Sequence, residues 1–559
     1  MKAYFLWPEF PLDQDFKSKV YRMNFQFIKI AIATLLALFA VGASFAQTQT
    51  LRGTITDADS KIPLIGVNVV VMKDSATING AVTDENGNYR VENIPVGRFK
   101  IRFSYIGYQE QAIDNVIVTS GKEVVLNTTM NESVHEINEV VVSAFKPGET
   151  RNEMALVSAR PFTIEETDRY AGSRGDPARM ASNFAGVSGA DDSRNDIVIR
   201  GNSPSGVLWK MEGLPILNPN HFNIPGTSGS PVTILNNKFL ANSDFFTGAF
   251  PAEFGNTISG VFDLYERNGN NEKYEFSGQL GFLGTEALAE GPLSKNHKSS
   301  FLASYRYSTL QLFDLLNIDI GTNSVPKYQD GFFRLNFQLK KNASLAIWGM
   351  GGLSTVDILV SNQQKPAADL YAQNDRDQYF KSNMGVTGIT YSKTFSANTY
   401  MKATLAVQGN SVVAHHDLVY RHIGADGNYV LDSLLPILDY TFKESRISAA
   451  WSINHKLSAH VLLKAGFNAD ALHYNYIDST RILDTSSAYY YHYETRWDSK
   501  GTTYLIQPYF QFKYKPTDRL TFNFGIHTQY FELSNSATGL EPRLAVQKRP
   551  CYSEPFLYL

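Results

Sequence analysis

The sequence predicts a mainly β protein with an N-terminal β-sandwich, an α+β domain and a partial transmembrane antiparallel β-barrel. Three observations predict this class. Aromatic residues make up 13% of the 559 residues and there are 40 glycines, a composition typical of strands joined by many turns. From Tyr274 onward, apolar and polar residues alternate as they do along strands. In that same region short and long connections also alternate, which is typical of outer-membrane barrels.

Length, charge and cysteine content narrow the possible classes further. A chain of 559 residues is too long for one ordinary domain and predicts two to four units. The net charge of -3 provides no strongly basic surface, which argues against nucleic acid as a partner. The single cysteine, Cys551, excludes a disulfide framework and a cysteine-based zinc site.

Residues 1–46 are predicted to be a signal peptide region. An apolar run at 30–41 is followed by Ser44 and Ala46, small residues at the spacing that predicts cleavage after Ala46. A transmembrane helix is the alternative, but the run is shorter than the about 20 residues that a spanning helix needs. The leader before Met23 is unusual, which favours Met23 as the true start. No later run is long and apolar, so a membrane location would require a barrel.

Residues 51–130 are predicted to form a small β-sandwich. Strands are expected at 67–72 and 99–105, with a turn at 84–88 in which Gly87 is free to adopt a positive φ. The letters D-E-N-G also begin a calcium loop, but the later acidic ligands are missing, so a hairpin is favoured. The stretches G-T-I-T-D, P-L-I-G-V-N-V, T-D-E-N-G-N-Y and I-P-V-G resemble the carboxypeptidase-regulatory-like domain. That resemblance implies no peptidase activity.

A linker and a mixed α+β domain follow the sandwich. Residues 131–158 are polar apart from the valines at 140–142, and are predicted to be the linker. Residues 159–268 are predicted to form the α+β domain, in which strands at 196–201 and 207–213 end in turns. Three glycines near its end are expected to mark tight turns: Gly248, Gly255 and Gly260.

Residues 272–548 are predicted to form a partial outer-membrane barrel of about 11–12 strands. Apolar and polar residues alternate clearly at 333–340, 510–514 and 520–527. Short turns are expected at 294–298, 341–342, 396–397, 456–457 and 516–517, and long polar loops at about 311–327, 357–377, 417–439 and 479–499. A soluble sandwich would show the same alternation of side chains, but gives no reason for connections that alternate in length.

After the signal region, the chain resembles the TonB-dependent outer-membrane receptors. Its accessory domain, TonB-box-like segment, plug and barrel come in the order of that family. The matching plug stretches are N-F-A-G-V (183–187), I-V-I-R-G (197–201), L-W-K-M-E-G-L-P (208–215) and F-F-T-G-A-F-P-A-E-F-G-N-T-I-S-G-V-F-D-L (245–264). The family commonly has Asp where this chain has Glu212. The resemblance assigns these residues to plug motifs: Arg200, Gly201, Glu212, Gly213, Gly248, Gly255 and Gly260.

The valine stretch in the linker resembles the TonB box. Its residues are Glu139, Val140, Val141, Val142, Ser143 and Ala144. An unpaired segment with high strand propensity can add to the sheet edge of a partner, with main-chain hydrogen bonds providing affinity. The alternative is that these residues form a last strand of the preceding domain.

The resemblance implies uptake of a scarce nutrient without covalent chemistry. A barrel of about 22 strands has a lumen wide enough to need a plug, and TonB, powered through the inner-membrane energy-coupling complex, would rearrange that plug. The implied partners are TonB, outer-membrane lipid, an unknown small-molecule, glycan or peptide ligand, and a surface lipoprotein; no cofactor is implied. The alternatives are a non-transporting surface ligand-binding or signalling receptor and a soluble periplasmic β-protein.

No catalytic or metal-binding set is predicted. Residues 135–139 begin like H-E-x-x-H, but Glu139 replaces the second histidine. Adjacent His415 and His416 would point to opposite faces of a strand and could not easily share an ion. One loop of the plug carries polar and aromatic residues that could face ligand, although an ordinary turn is the favoured alternative: Asn218, Asn220, His221 and Phe222.

The end of the sequence departs from the family pattern. Strand-like alternation stops near residue 548, and residues 549–559 form an aberrant tail that contains Cys551. Half a barrel would leave an unpaired strand edge in lipid, which is unfavourable because backbone groups there lack hydrogen-bond partners. We therefore expect the chain to be a C-terminally truncated or frameshifted copy of a complete receptor.

Overall fold

The computed structural model describes residues 48–548, except for 75, 122, 134–149, 163–165, 168–169, 171, 190, 282–283, 310–325, 341, 365–374, 489 and 538. Within these residues the protein is built mainly of β-strands, as predicted. The signal region, the TonB-box-like segment and the tail at 549–559 lie outside the described residues. None of the described helices is long and apolar enough to cross a membrane.

Residues 48–133, which we call the sandwich, contain two four-stranded sheets. The strands are β1 (Thr48–Asp57), β2 (Asn68–Lys73), β3 (Ala76–Val82), β4 (Asn88–Pro95), β5 (Gly97–Ser104), β6 (Gln111–Val118), β7 (Val124–Val125) and β8 (Thr128–Met130). One sheet has the order β4-β1-β7, with β8 also pairing with β1, and the other has the order β3-β2-β5-β6. Leu51 and Ile55 of one sheet pack with Ile101 and Phe103 of the other in a fully buried core. Gly87 has φ +72° in the turn before β4, as the sequence predicted.

Residues 150–268, which we call the plug, form a small mixed domain. Its elements are β9 (Ala159–Phe162), α1 (Pro177–Ala181), β10 (Val187–Gly189), β11 (Ile197–Ile199), β12 (Leu208–Met211), β13 (Leu214–Pro215), β14 (Ser243–Phe246) and β15 (Val261–Leu264). A five-stranded sheet has the order β13-β12-β15-β14-β9, in which β12 and β15 are parallel. Trp209 stacks on Phe262 with ring centroids 4.3 Å apart, and both residues belong to the core of the plug.

The rest of the chain forms one large antiparallel sheet, which we call the wall. Its strands are β16 (Glu275–Leu280), β17 (Gly284–Pro292), β18 (Ser299–Ser308), β19 (Lys327–Leu339), β20 (Ala343–Ile358), β21 (Arg376–Ser396), β22 (Thr399–Ile423), β23 (Tyr429–Ser458), β24 (Val461–Arg481), β25 (Tyr493–Thr517), β26 (Leu520–His527), β27 (Tyr530–Phe531), β28 (Ser536–Ala537) and β29 (Glu541–Lys548). Twelve strands follow one another from β16 to β29, and the short β27–β28 hairpin pairs with β25. Among the described residues β16 and β29 do not pair with each other, so the wall is not closed.

Two of the predicted long loops are wrong in extent. Residues 417–423 and 429–439 continue β22 and β23, which leaves only 424–428 as the connection. Likewise β24 continues to Arg481 and β25 begins at Tyr493. The connection between these two strands is therefore 482–492. Residues 429–439 are largely apolar rather than polar, and the cross-strand pairing of β22 with β23 and of β24 with β25 shows that these segments belong to strands.

The short turns lie at the opposite end of the wall from these connections. Strands β17 and β18 are joined through 293–298, and β21 and β22 through 397–398, close to the predicted turns. The turn between β23 and β24 is at 459–460, and the turn between β25 and β26 is at 518–519, each two or three residues beyond the prediction. One end of the wall therefore carries only tight turns among the described connections.

Candidate functional site

The plug packs against one face of the wall and is held there by buried ion pairs. Glu212 occupies the first position of a two-residue turn between β12 and β13, with φ +51°, and Gly213 follows with φ +91°. Two successive positive φ angles are typical of a type I′ hairpin turn. The turn directs the Glu212 carboxylate to the wall, where Lys402 Nζ donates to Oε2 at 2.6 Å.

A second plug carboxylate shares this contact with the wall. Arg334 of β19 donates to Glu266 Oε2 at 2.7 Å and to Glu212 Oε1 at 3.4 Å. Burial raises the pKa of Glu212, but Lys402 and Arg334 more than offset that effect and leave it below the ordinary value. Burial also raises the pKa of Glu266, and the nearby Glu212 charge adds to the increase. Glu212 is thus the member of the pair that carries the negative charge more readily.

Lys464 of β24 lies between two further plug carboxylates. Its Nζ is 2.9 Å from Glu253 Oε1 and 2.9 Å from Glu153 Oε1. Lys210 of the plug is 3.9 Å from Glu253, and Asn152 donates to Glu253 Oε1 at 2.9 Å. The side chains of Lys464, Glu153 and Glu253 are each less than 10% exposed. Removing one charge would therefore leave the others buried and uncompensated.

The sandwich is attached to the short-turn end of the wall. Lys456 donates to Asp57 Oδ2 at 2.7 Å, while Lys513 and Lys515 donate to the two oxygens of Asp59 at 2.8 and 2.6 Å. Burial raises the pKa of Asp59, but the two lysines more than offset it and hold the pKa well below its usual range. Lys456 has the same net effect on the pKa of Asp57.

The first residues of the plug join all three parts. Lys61 of the sandwich donates to the carbonyl oxygen of Arg151 at 2.7 Å and lies 3.3 Å from Glu153. The backbone N–H groups of Arg151 and Asn152 donate to the Asp244 carboxylate at 3.0 and 2.7 Å. This junction thus ties residues 151 and 152, at the start of the plug, to the interior of the plug.

Two of the predicted plug glycines lie so close to neighbouring side chains that a Cβ atom would not fit. A third has a positive φ. A Cβ at Gly255 would lie 2.4 Å from Gln507 Nε2 of the wall, and one at Gly260 would lie 2.4 Å from Ile199 Cδ1. Neither residue has a positive φ, and the expectation that they mark tight turns stays a prediction. Gly248 has φ +151°, a backbone conformation that favours glycine.

Arg200 and Gly201 form a tight turn at the plug surface. Their φ angles are +51° and +80°, and the N–H of Asn202 donates to the Ile199 carbonyl at 3.0 Å. The guanidinium of Arg200 lies within hydrogen-bond distance of the hydroxyl groups of Ser158 and Thr247, at 3.4 and 3.3 Å. Arg200 therefore links β9, β11 and β14 at their exposed ends.

The loop that was considered for ligand binding lies between plug and wall. His221 is 1% exposed, and its Nε2 is 2.9 Å from Asp330 Oδ2 of β19. The N–H of Phe222 donates to Ser354 Oγ at 3.0 Å. Asn220 accepts from Asn195 and donates to Asn218 Oδ1 at 2.6 Å within the plug. The described polar contacts of this loop are made within the plug and to the wall, and a role in ligand binding stays a prediction.

The cations of the wall were not singled out from the sequence. Lys402, Lys464 and Lys513 each occupy a position whose side chain points to the plug. One signal in the sequence could have identified them. A lysine on the strand face that points to the interior needs a partner of opposite charge, because an unpaired buried charge is unfavourable. His415, considered for metal binding, instead lies 3.1 Å from both Asp417 and Asp439.

Comparison with known proteins gives one domain match and two curated relatives. Residues 51–142 match the CarboxypepD_reg-like domain. The TonB-dependent transporter Oar of Myxococcus xanthus is 26% identical over 254 residues, which cover 44% of this chain and 23% of that protein. The TonB-dependent receptor P3 of Formosa agariphila is 28% identical over 157 residues, which cover 27% of this chain and 15% of that protein. The aligned regions thus span less than a quarter of either relative.

Solved structures that align with this chain include an outer membrane transporter and a siderophore receptor. The outer membrane transporter YddB from Escherichia coli aligns with a TM-score of 0.47 at 12% identity, covering 69% of this chain and 58% of that one. The siderophore receptor PirA from Acinetobacter baumannii aligns with a TM-score of 0.45 at 16% identity, covering 71% and 59%. The domain match and the curated relatives agree with the family resemblance that the sequence motifs predicted.

Proposed function

We propose that this chain, a relative of the TonB-dependent transporters with an N-terminal carboxypeptidase-regulatory-like domain, acts as an outer-membrane receptor for nutrient uptake. The observation that carries the proposal is the seating of a separate domain, the plug, on one face of the wall through Glu212–Lys402 and Glu253–Lys464. A domain held in this way can block passage along the wall at rest and open it when displaced. No covalent step is required.

The two ends of the wall support an orientation in the membrane. Outer-membrane barrels have short turns on the periplasmic side and longer connections outside. The sandwich contacts the short-turn end through Lys456 and Asp57, so we place it in the periplasm. The described connection at 424–428 then faces the exterior, where ligand would arrive.

The contacts between plug and wall combine polar and apolar groups. Many are hydrogen bonds between side chains of the wall and backbone groups of the plug, such as Gln408 to the Pro215 carbonyl and Asn523 to the Met154 carbonyl. Polar groups of this kind can exchange their partners for water when the domains separate, whereas apolar contacts such as Phe239 on Phe332, with ring centroids 3.6 Å apart, resist separation. The interface is thus compatible with a displacement of the plug driven by force.

The segment at 139–144 is where we propose that force enters. A pull on it would reach Arg151 and Asn152 first, and through their N–H groups the Asp244 carboxylate in the central sheet of the plug. Asp244 is fully buried on β14, so displacement of this junction would disturb the plug core. The proposed path from partner to plug is therefore short.

Capture of the periplasmic domain of TonB tests this proposal. Val141→Pro removes one backbone N–H and should abolish capture, because strand addition depends on main-chain hydrogen bonds. Val141→Ala keeps the backbone N–H and should retain most of the TonB capture. Equal capture by both variants would contradict binding through this segment. Ligand binding without any TonB capture would instead support a surface receptor that does not transport.

A further inference from the structure

Five aromatic side chains form a continuous surface on three neighbouring strands of the wall. We call it the aromatic shelf; it consists of Tyr440, Phe442, Tyr474, Tyr476 and Trp497. The ring of Phe442 lies 5.1 Å from Tyr440, 5.0 Å from Tyr476 and 6.1 Å from Trp497. Trp497 is 52% exposed, so the shelf presents open ring surface.

The shelf lies on the face of the wall that contacts the plug. On β23, Ser448 accepts from Gln408, which also binds the Pro215 carbonyl of the plug. Phe442 is six residues from Ser448, so alternation along the strand places both on the same face. Phe442 is directly opposite Tyr476 in the ladder, which brings the second strand to the same face. An aromatic belt at a lipid interface would lie on the other face.

Its position along the wall is far from the sandwich. Lys456, which contacts Asp57, is 14 residues from Phe442 on the same strand, or roughly 45 Å at the rise of a β-strand. The shelf therefore lies towards the connections at 424–428 and 482–492. In the proposed orientation this is the exterior side of the plug.

A small cavity continues from the shelf to the plug. Its volume is about 270 Å³, and its lining includes Trp209 and Ile216 of the plug with Arg446, Tyr474 and Gln507 of the wall. Tyr474 belongs to both the shelf and the cavity. Ligand pockets commonly begin at about 300 Å³, so this space suits one ring of a ligand and the shelf would hold the remainder.

Two residues that line the cavity each carry a buried hydrogen-bond donor without a partner among the described residues. The donors are the indole Nε1 of Trp209, a residue that is 5% exposed, and Nε of Arg446. A buried donor without an acceptor is costly, and a ligand oxygen that accepts from it gains the corresponding free energy. Gln507 adds an amide that can both donate and accept. The cavity thus favours a ligand that carries several hydroxyl groups.

The charges around the shelf favour a neutral ligand. Arg446 is paired with Glu444 at 2.9 Å, and Arg496 is paired with Asp478 at 2.7 Å. Asp470, in the cavity lining, adds a carboxylate that is 4% exposed. An anionic ligand would meet these carboxylates while the two guanidinium groups were already neutralised.

We infer that the aromatic shelf and its cavity bind the rings of a neutral oligosaccharide. The inference rests on the proposed function and specifies the class of ligand that the receptor takes. A pyranose has an apolar C–H face that can lie on an aromatic ring and a rim of hydroxyl groups that can accept from Trp209 and Arg446. One ring occupies the cavity, and the following rings lie along Phe442, Tyr476 and Trp497.

Calorimetric titration of the full chain in detergent tests the inference. The probes are neutral hexasaccharides with glucose, xylose or mannose units, with a hexamer of galacturonic acid as the anionic match and 2,3-dihydroxybenzoate as a planar anion. At least one neutral hexasaccharide should bind more tightly than either anion. Phe442→Ala and Trp497→Ala should each weaken that binding about tenfold, the loss expected for one stacked ring.

Tyr504→Ala is the matched control for these variants. Tyr504 is on the same strand as Trp497 but points to the opposite face and is 50% exposed. It should leave affinity unchanged, and circular dichroism should show that all three variants keep the β structure. Three results would overturn the inference. They are failure of every neutral hexasaccharide to bind, tighter binding of an anion, and shelf variants that bind as tightly as the parent protein. Because the titration involves no TonB, such a failure would leave the capture experiment and membrane insertion unaffected.

Discussion

Lys464 Nζ donates to both carboxylate oxygens of Glu253 at 2.9 Å, although 211 residues separate them in the sequence. The first residue belongs to the wall and the second to the plug. Glu153 accepts the same ammonium group at 2.9 Å, so one wall cation holds two plug carboxylates. Burial raises the pKa of Glu253, but Lys464 and Lys210 more than offset the increase and keep it ionised.

Lys464→Met should therefore destabilise the protein strongly. Breaking a buried ion pair by removing one partner costs about 3–5 kcal/mol, because the remaining charge stays buried without compensation. Urea unfolding in detergent, followed by circular dichroism, measures the change. Lys100→Met is the matched control, since Lys100 and Asp114 form a pair whose side chains are about 40% exposed. That control should cost no more than about 1 kcal/mol, and an equal loss for both variants would contradict the role of Lys464.

Gly255→Ala should loosen the plug. Its Cβ would lie 2.4 Å from Gln507 Nε2 and 2.5 Å from His527 Nε2, so these two buried side chains must move away from the plug. Overpacking of this kind costs about 1–3 kcal/mol, and limited proteolysis should cleave the plug faster. Gly501→Ala is the matched control. Gly501 is on β25, the strand that carries Gln507, and a Cβ there would have no atom within 4 Å. Proteolysis of the Gly501 variant should match the parent; faster cleavage of both would refute the steric argument.

Asp59→Asn should release the sandwich from the wall. The change removes the charge that pairs with Lys513 and Lys515. Asp114→Asn is the control, since Asp114 belongs to an exposed ion pair of the sandwich and should leave the sandwich attached to the wall. Hydrogen exchange of β1 measures the release. The pKa of Asp59 is lowered in the folded state, so its contribution is present above the ordinary value of about 3.9 and is lost only as pH falls below it. Docking should be constant from about pH 8 to 5; weakening within that range would contradict the assignment.

Asp244 should give the plug a pH dependence of opposite sign. Burial raises the pKa of Asp244 to about 7, and the nearby Asp263 adds to the increase against the two N–H donors. The folded state then binds more protons than the unfolded state between about pH 4 and 7, so stability falls as pH rises through that window. Asp244→Asn should reduce this slope, and Asp191→Asn, at an exposed carboxylate of the plug, should retain it. An unchanged slope in the Asp244 variant would show that another group titrates.

Local features of the fold could be predicted from the sequence because they depend on neighbouring residues. Gly87 has a positive φ because its hairpin requires one, and the strand at 520–527 follows directly from period-2 alternation. The extent of β22 and β23 could not be predicted, since it depends on their pairing with each other across a connection of only five residues, 424–428. Strand limits therefore depended on pairings that a linear pattern does not contain.

The contacts that hold the plug were beyond sequence reasoning for a similar reason. Glu212 looked like a minor departure from a family motif, but its carboxylate binds Lys402, which lies 190 residues away. Gly255 looked like a turn residue, but it is constrained by Gln507 of a distant strand. In both cases the residue type was noticed and its role depended on a partner that only the fold brings near.

Alkaline carbonate extraction of membranes tests the central claim most directly. The chain is produced in a Gram-negative host, the outer membrane is isolated, and the washed pellet and supernatant are probed for the protein. An integral wall around a plug predicts that the protein stays in the outer-membrane pellet. Complete release into the supernatant would contradict the account and identify the chain as a soluble periplasmic β-protein.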